Sequence, residues 1–131
     1  MSGTLVLDSE GLSRYLRGDR TMTARLEAAR LDDMRVVVSA VTIVEADPSG
    51  AHRARISWAL SRPAVEPVTK EIAAAAVGLL AGIDSGGGHK YALDAIVAAT
   101  ARAAHPPVVL LTSDPEDLER LCGPDIAVLK V

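Results

Sequence analysis

The feature that most constrains this chain is a set of short, almost wholly apolar runs, each adjoining residues of helical period. Residues 4–7, 35–40, 108–111 and 126–129 are such runs, with a briefer stretch at 65–68. They are too short for helices and rich in β-branched and aliphatic side chains, so each is predicted to be a strand. Between them apolar residues recur at helical spacing. After Asp8, Leu12, Tyr15 and Leu16 fall on one face, with Ser9 placed to cap the helix and Gly18 to end it. Further helices are predicted over 22–31, 41–46, 51–60, 71–81 (with Thr69 as a good N-cap), 91–104 and 115–121. Asp47 precedes Pro48 and is pushed away from helix, and Pro106 and Pro107 stop the 91–104 helix. Strands alternating with helices imply right-handed crossovers and a mainly parallel central sheet covered on both faces. The predicted fold is therefore α/β, a three-layer α/β/α sandwich. With no repeat and no low-complexity segment, residues 1–131 read as a single domain.

The layers must be filled without large aromatics. Apolar residues make up 49% of the chain, but there is no Phe, and Trp58, Tyr15 and Tyr91 are the only aromatics, so an aliphatic core is expected. Cys122 is the sole cysteine, which rules out an intrachain disulfide. The N-terminus lacks the basic and long apolar stretches of a signal peptide, and no uninterrupted apolar run approaches the roughly 20 residues of a membrane span. A reducing cytoplasm fits best. A net charge of −3 argues against a protein that simply coats nucleic acid. The basic groups lean N-terminal: residues 1–62 hold nine Arg against eight acids, and residues 63–131 hold five Lys and Arg against nine acids.

Open parallel sheets collect their sites at the carboxyl ends of the strands. Asp8 and Asp114 follow predicted strands and would emerge at that edge, although either Asp would also serve simply as the cap of the next helix. Asp94 interrupts an apolar helical stretch, where an ionised carboxylate needs a positive partner. Lys90, one turn earlier, is the ordinary partner, and a metal ion is the alternative. Glu45 has a similar apolar setting, though a short helix with one face in solvent accepts a Glu equally well. Gathered at one edge, four acids would raise one another's pKa unless divalent cations neutralised them, and hard oxygen ligands suit Mg²⁺ or Mn²⁺. Such clusters serve phosphodiester hydrolysis, with the N-terminal arginines available as the basic surface.

The residues themselves carry a resemblance. Residues 5–9 (LVLDS), 38–46 (VSAVTIVEA), 89–95 (HKYALDA) and 111–118 (LTSDPEDL) resemble, in order, the four motifs of PIN-domain ribonucleases of the VapC toxin type, over nearly the whole chain. This resemblance implies a PIN-like fold and an endoribonuclease using Mg²⁺ or Mn²⁺. It implies structured RNA of the tRNA or rRNA class as substrate and a cognate antitoxin as the inhibiting partner. It also implies that Asp8, Glu45, Asp94 and Asp114 are the catalytic carboxylates. Asp8, Asp94 and Asp114 would be direct metal ligands, and Glu45 a ligand or base. Thr112 matches a hydroxyl of the fourth motif and Asp117 a frequent extra acid, which on a short helix equally complements the helix dipole. Glu10 departs from the pattern, adding a fifth charge to the pocket or facing water. A homodimer formed through an apolar helix face is also expected.

Two other readings compete. One is a catalytically inactive PIN-like module that binds RNA or protein. The other is phosphoryl transfer through Asp8 as nucleophile, which ordinarily wants an Asp where Glu10 stands. His52, His89 and His105 are too scattered for zinc. Cys122 reads as buried packing. Gly86 to Gly88 lacks the Gly-Lys-Ser/Thr ending of a phosphate loop and reads as a hinge-like connection. Trp58 and the N-terminal arginines could contact RNA, but a lone Trp on an apolar helix reads as core or interface packing in preference to a base platform.

Overall fold

The computed structural model describes residues 2–83 and 88–131. Most of the Gly86–Gly88 connection lies outside the described residues, which resume at Gly88. The chain runs β1 (Thr4–Leu7), α1 (Ser9–Leu16), α2 (Arg20–Leu31), β2 (Arg35–Ser39), α3 (Ala40–Glu45), α4 (Arg53–Ser61), β3 (Ala64–Glu66) and α5 (Lys70–Ala81). A 3-10 turn (Gly88–Tyr91) then leads into α6 (Ala92–Ala103), β4 (Val108–Thr112), α7 (Pro115–Cys122) and β5 (Ile126–Lys130).

The five strands form one sheet in the order β3-β2-β1-β4-β5, and every pairing is parallel. β1 is central: Leu7 aligns with Val38 on one side and Leu111 on the other, so β1, β2 and β4 end at one common edge. Successive side chains leave a strand on opposite faces. Val6 and Leu110 accordingly enter a core with Ala95, Ala98 and Ala99 of α6 and Leu118 and Leu121 of α7. Leu5, Leu7 and Val38 enter the other core, with Leu12 and Tyr15 of α1 and Met22 and Leu26 of α2. The α/β/α layering and aliphatic packing agree with the sequence reading, and Tyr15 is the only fully buried aromatic. Each fully buried Leu contributes about 1.5–3 kcal/mol by leaving water. No helix among the described residues is long and apolar enough to cross a membrane.

Several boundaries move for local reasons. Asp8, not Ser9, caps α1: its backbone is extended and its carboxylate accepts the Glu10 and Gly11 amides at 3.1 and 3.2 Å. Asp19 caps α2 through the Met22 amide at 2.7 Å, extending that helix to Arg20. Ser39 ends β2 and caps α3, and Thr69 caps α5 as expected. β3 lies earlier than predicted, because Pro67 has no N–H with which to continue a ladder. Trp58 is not core: it is 44% exposed.

Candidate functional site

Four elements bring acids to the carboxyl edge of the sheet. Asp8 follows directly on β1, and its amide donates to the Leu111 carbonyl of neighbouring β4 at 3.0 Å, which fixes its backbone between two strands. Its carboxyl is pushed above the usual range by burial. The Thr112 hydroxyl and the amides of Gly11, Ser113 and Glu10 oppose that push without overcoming it. Thr112 is fully buried and its Oγ1 also accepts the Asp114 amide at 3.0 Å. One hydroxyl thus relates the Asp8 carboxylate to the backbone that carries Asp114.

Asp114 occupies the cap position of α7, yet its side chain makes no cap hydrogen bond, and it is exposed. Of the two acids after strands, Asp8 has taken the capping role and Asp114 has not. Asp117 lies one turn into α7. Its carboxyl is raised by a hydrogen bond with Asp114 and by that neighbour's charge, against the pull of Arg120, whose Nη1 is 3.7 Å away.

Asp94 stands in the first turn of α6, whose following residues Ala95 and Val97 to Ala101 are buried. Its pKa is raised to about 6, first by burial and then by the charges of Glu45, Asp114, Asp117 and Asp8. The charges that act on Asp94 are thus those of the other sequence-predicted acids. Lys90 is not the ion partner of Asp94: among the described residues Asp94 forms no salt bridge, and the Lys90 ammonium lies 5.2 Å from the Tyr91 ring. Lys90 belongs to the 3-10 turn and not to α6, so the helical one-turn spacing that would pair them is broken.

Glu45 is the last residue of α3. It is exposed, and its carboxyl is raised by partial burial and by Asp8. Its position depends on two residues that sequence reading missed. Ser13 of α1 accepts the Asp47 amide at 2.8 Å, and Arg17 donates to the Asp47 carbonyl at 3.0 Å. The turn after Glu45 is thereby tied to the helix that Asp8 caps. These partners are 34 and 30 residues apart in the chain, and no local pattern announces them. Glu10 is engaged by Arg14 of the same helix at 3.2 Å and by Arg17, the C-cap of that helix, at 3.4 Å.

The donor set is oxygen-rich and suits a hard divalent cation in kind. Among the described residues, however, no three His, Cys, Asp or Glu side chains stand in a metal-ligating group. Like charges repel, and Glu45 and Asp114 are both exposed at this edge. His52 and His105 join no such group among the described residues. A cavity of about 560 Å³ opens at the opposite, amino-terminal side, against Gly3, Arg35, Glu66 and Thr69, and contains none of these acids.

No protein-family model matches the sequence, and no curated protein matches it. Among solved structures, a chain from the crystal structure of VapBC2 from Rickettsia felis, bound to a DNA fragment from their promoter, matches with a TM-score of 0.70. The match covers 98% of each chain at 11% identity. The fold is PIN-like. In a PIN-like fold of this strand order, the carboxyl edge carrying Asp8, Glu45, Asp94 and Asp114 is where the parallel sheet opens to solvent. At 11% identity the likeness extends to the path of the chain, and the chemistry has to be argued from the side chains.

Proposed function

We propose that the protein is a VapC-like endoribonuclease, dependent on Mg²⁺ or Mn²⁺, that hydrolyses phosphodiester bonds of structured RNA in the cytoplasm. A cognate antitoxin neutralises it. The observation that carries this reading is that the charges of Glu45 on α3, Asp114 and Asp117 of α7 and Asp8 at the start of α1 all act on Asp94, from three other parts of the fold. Asp8, Asp94 and Asp114 are the residues that would hold the cation, with Glu45 as a further ligand or the base. A bound cation supplies charge neutralisation and an acidified water for in-line attack. The chain's own part is placement. The Asp8 carboxylate is held by the first turn of α1 and the Thr112 hydroxyl. Asp94 is raised on α6, and Glu45 is set by the tie between Asp47 and α1. With Asp8, Asp94 and Asp114 assigned to the cation, Glu45, whose carboxyl is also raised, is the group left to receive a proton from an attacking water. An antitoxin bearing Arg or Lys would find complementary charge at this edge, and a homodimer is expected to present two such edges.

The test is cleavage of a total RNA pool by purified, antitoxin-free protein in Mg²⁺, Mn²⁺ or EDTA, beside an Asp8→Asn, Asp94→Asn double variant. Discrete fragments that need the cation and vanish in the variant are expected. Folded protein that binds RNA and cuts nothing would point instead to an inactive binding module.

A further inference from the structure

Trp58 has a setting that the acidic edge does not explain. It is 44% exposed, and α4 with its C-cap Arg62 carries three arginines and no acid. The ring has a rigid backing on one side of the helix. The Arg55 guanidinium lies 4.8 Å from it and 5.3 Å from the Tyr15 ring, while Arg55 Nη2 donates to the Tyr15 carbonyl at 2.7 Å. Tyr15 itself is fully buried, with its ring centroid 6.0 Å from that of Trp58. Arg62 is the more exposed neighbour. Its guanidinium is 5.6 Å from the indole, its side chain is 41% exposed, and its one ion contact among the described residues, to Glu27, spans 4.0 Å.

We propose that Trp58 is a stacking platform for an unpaired base of single-stranded RNA, with Arg62 leaving the indole to engage the adjoining phosphate. Base–aromatic stacking is tolerant of sequence, and a guanidinium both stacks on rings and grips phosphate. The exposed residues of α4 and its C-cap besides Trp58 are Arg53, Ala54, Ser57, Ser61 and Arg62, four of the five polar or cationic. That polar, cationic rim suits a nucleotide better than an apolar protein face. Tyr15 is seven residues beyond Asp8 on α1, about 10 Å along the helix axis, so the platform stands within a few nucleotides of the carboxylate edge. Its use in holding the strand beside the scissile bond rests on the nuclease reading; the stacking itself does not.

Trp58 is the only tryptophan, so its fluorescence reports directly on the platform. Wild-type protein in EDTA at low salt is titrated with oligo(A), oligo(U) and a blunt RNA duplex. Single strands are expected to quench saturably and the duplex not. In anisotropy with a labelled strand, Trp58→Ala should weaken binding roughly 5- to 150-fold, Trp58→Tyr should restore most of it, and Arg62→Gln should lower the salt slope by about one phosphate. Absence of quenching by any single strand, or equal affinity of a folded Trp58→Ala protein, overturns the proposal and leaves the ring for a protein partner. Stacking without cleavage would sink the nuclease reading alone. Cleavage at wild-type rate by Trp58→Ala, without quenching in the parent, would sink this one alone.

Discussion

Replacing Asp94 by Asn should make the metal-free protein more stable while abolishing its response to cation. Asp94 titrates at about 6 because burial and then the charges of Glu45, Asp114, Asp117 and Asp8 disfavour its ionised form. A carboxyl whose pKa rises on folding stabilises the folded state at pH below its unfolded value, near 4. That contribution is lost as pH rises through about 6. At neutral pH the ionised group therefore costs up to about 3 kcal/mol, at roughly 1.4 kcal/mol per pKa unit. Asp94 is only half-buried, and solvent screening reduces this to about 1–2 kcal/mol. Asn keeps the shape and removes the charge. Asp94→Asn in EDTA at pH 7 is thus expected to melt about 3–8 °C above wild type, a gain that closes as pH falls to 4. Mg²⁺ should reverse the order, because wild type gains stability by binding it and the variant does not. Differential scanning calorimetry from pH 4 to 8, with EDTA and with Mg²⁺, decides the matter. A variant no more stable than wild type at pH 7, or a gap unchanged at pH 4, would refute the electrostatic argument.

Asp8→Asn retains an N-cap of nearly equal quality, so its melting temperature should stay close to wild type while RNA cleavage falls on the order of 100-fold or more; parallel rate and melting measurements test this. Ser13→Ala removes the acceptor of the Asp47 amide and should cost about 1–3 kcal/mol, with faster hydrogen exchange at Asp47 and reduced cleavage through a displaced Glu45. Gly3 has a φ of 138°, and a Cβ there would come within 2.6 Å of the Pro107 carbonyl oxygen. Gly3→Ala should therefore destabilise by about 1–3 kcal/mol or more in urea, since the Thr4 and Arg35 amides bond at the same place.

The layered α/β architecture was legible in the chain because strand and helix periods are properties of neighbouring residues, repeated here from Thr4 to Lys130. For the same reason Asp8 and Asp114 were legible at strand ends, and Asp94 as a charge inside an apolar helix. Sequence alone left open whether Asp8 was a cap or part of a site. The structure makes it the cap of α1 and also brings it into the field of Asp94 and Glu45. The pairing of β1 with both β2 and β4 was decided by contacts between residues far apart in sequence, and no local pattern encodes a neighbour across 30 or 100 positions. The same holds for Asp47 on Ser13 and for Arg55 between Tyr15 and Trp58. The separation of Lys90 from Asp94 turned on the start of α6 at Ala92, where a 3-10 turn replaces the continuous helix that spacing implies. Residue types and their periods therefore determined the layers and the acids, and tertiary packing determined which charges face one another, because Coulomb energy depends on distance in space and not along the chain.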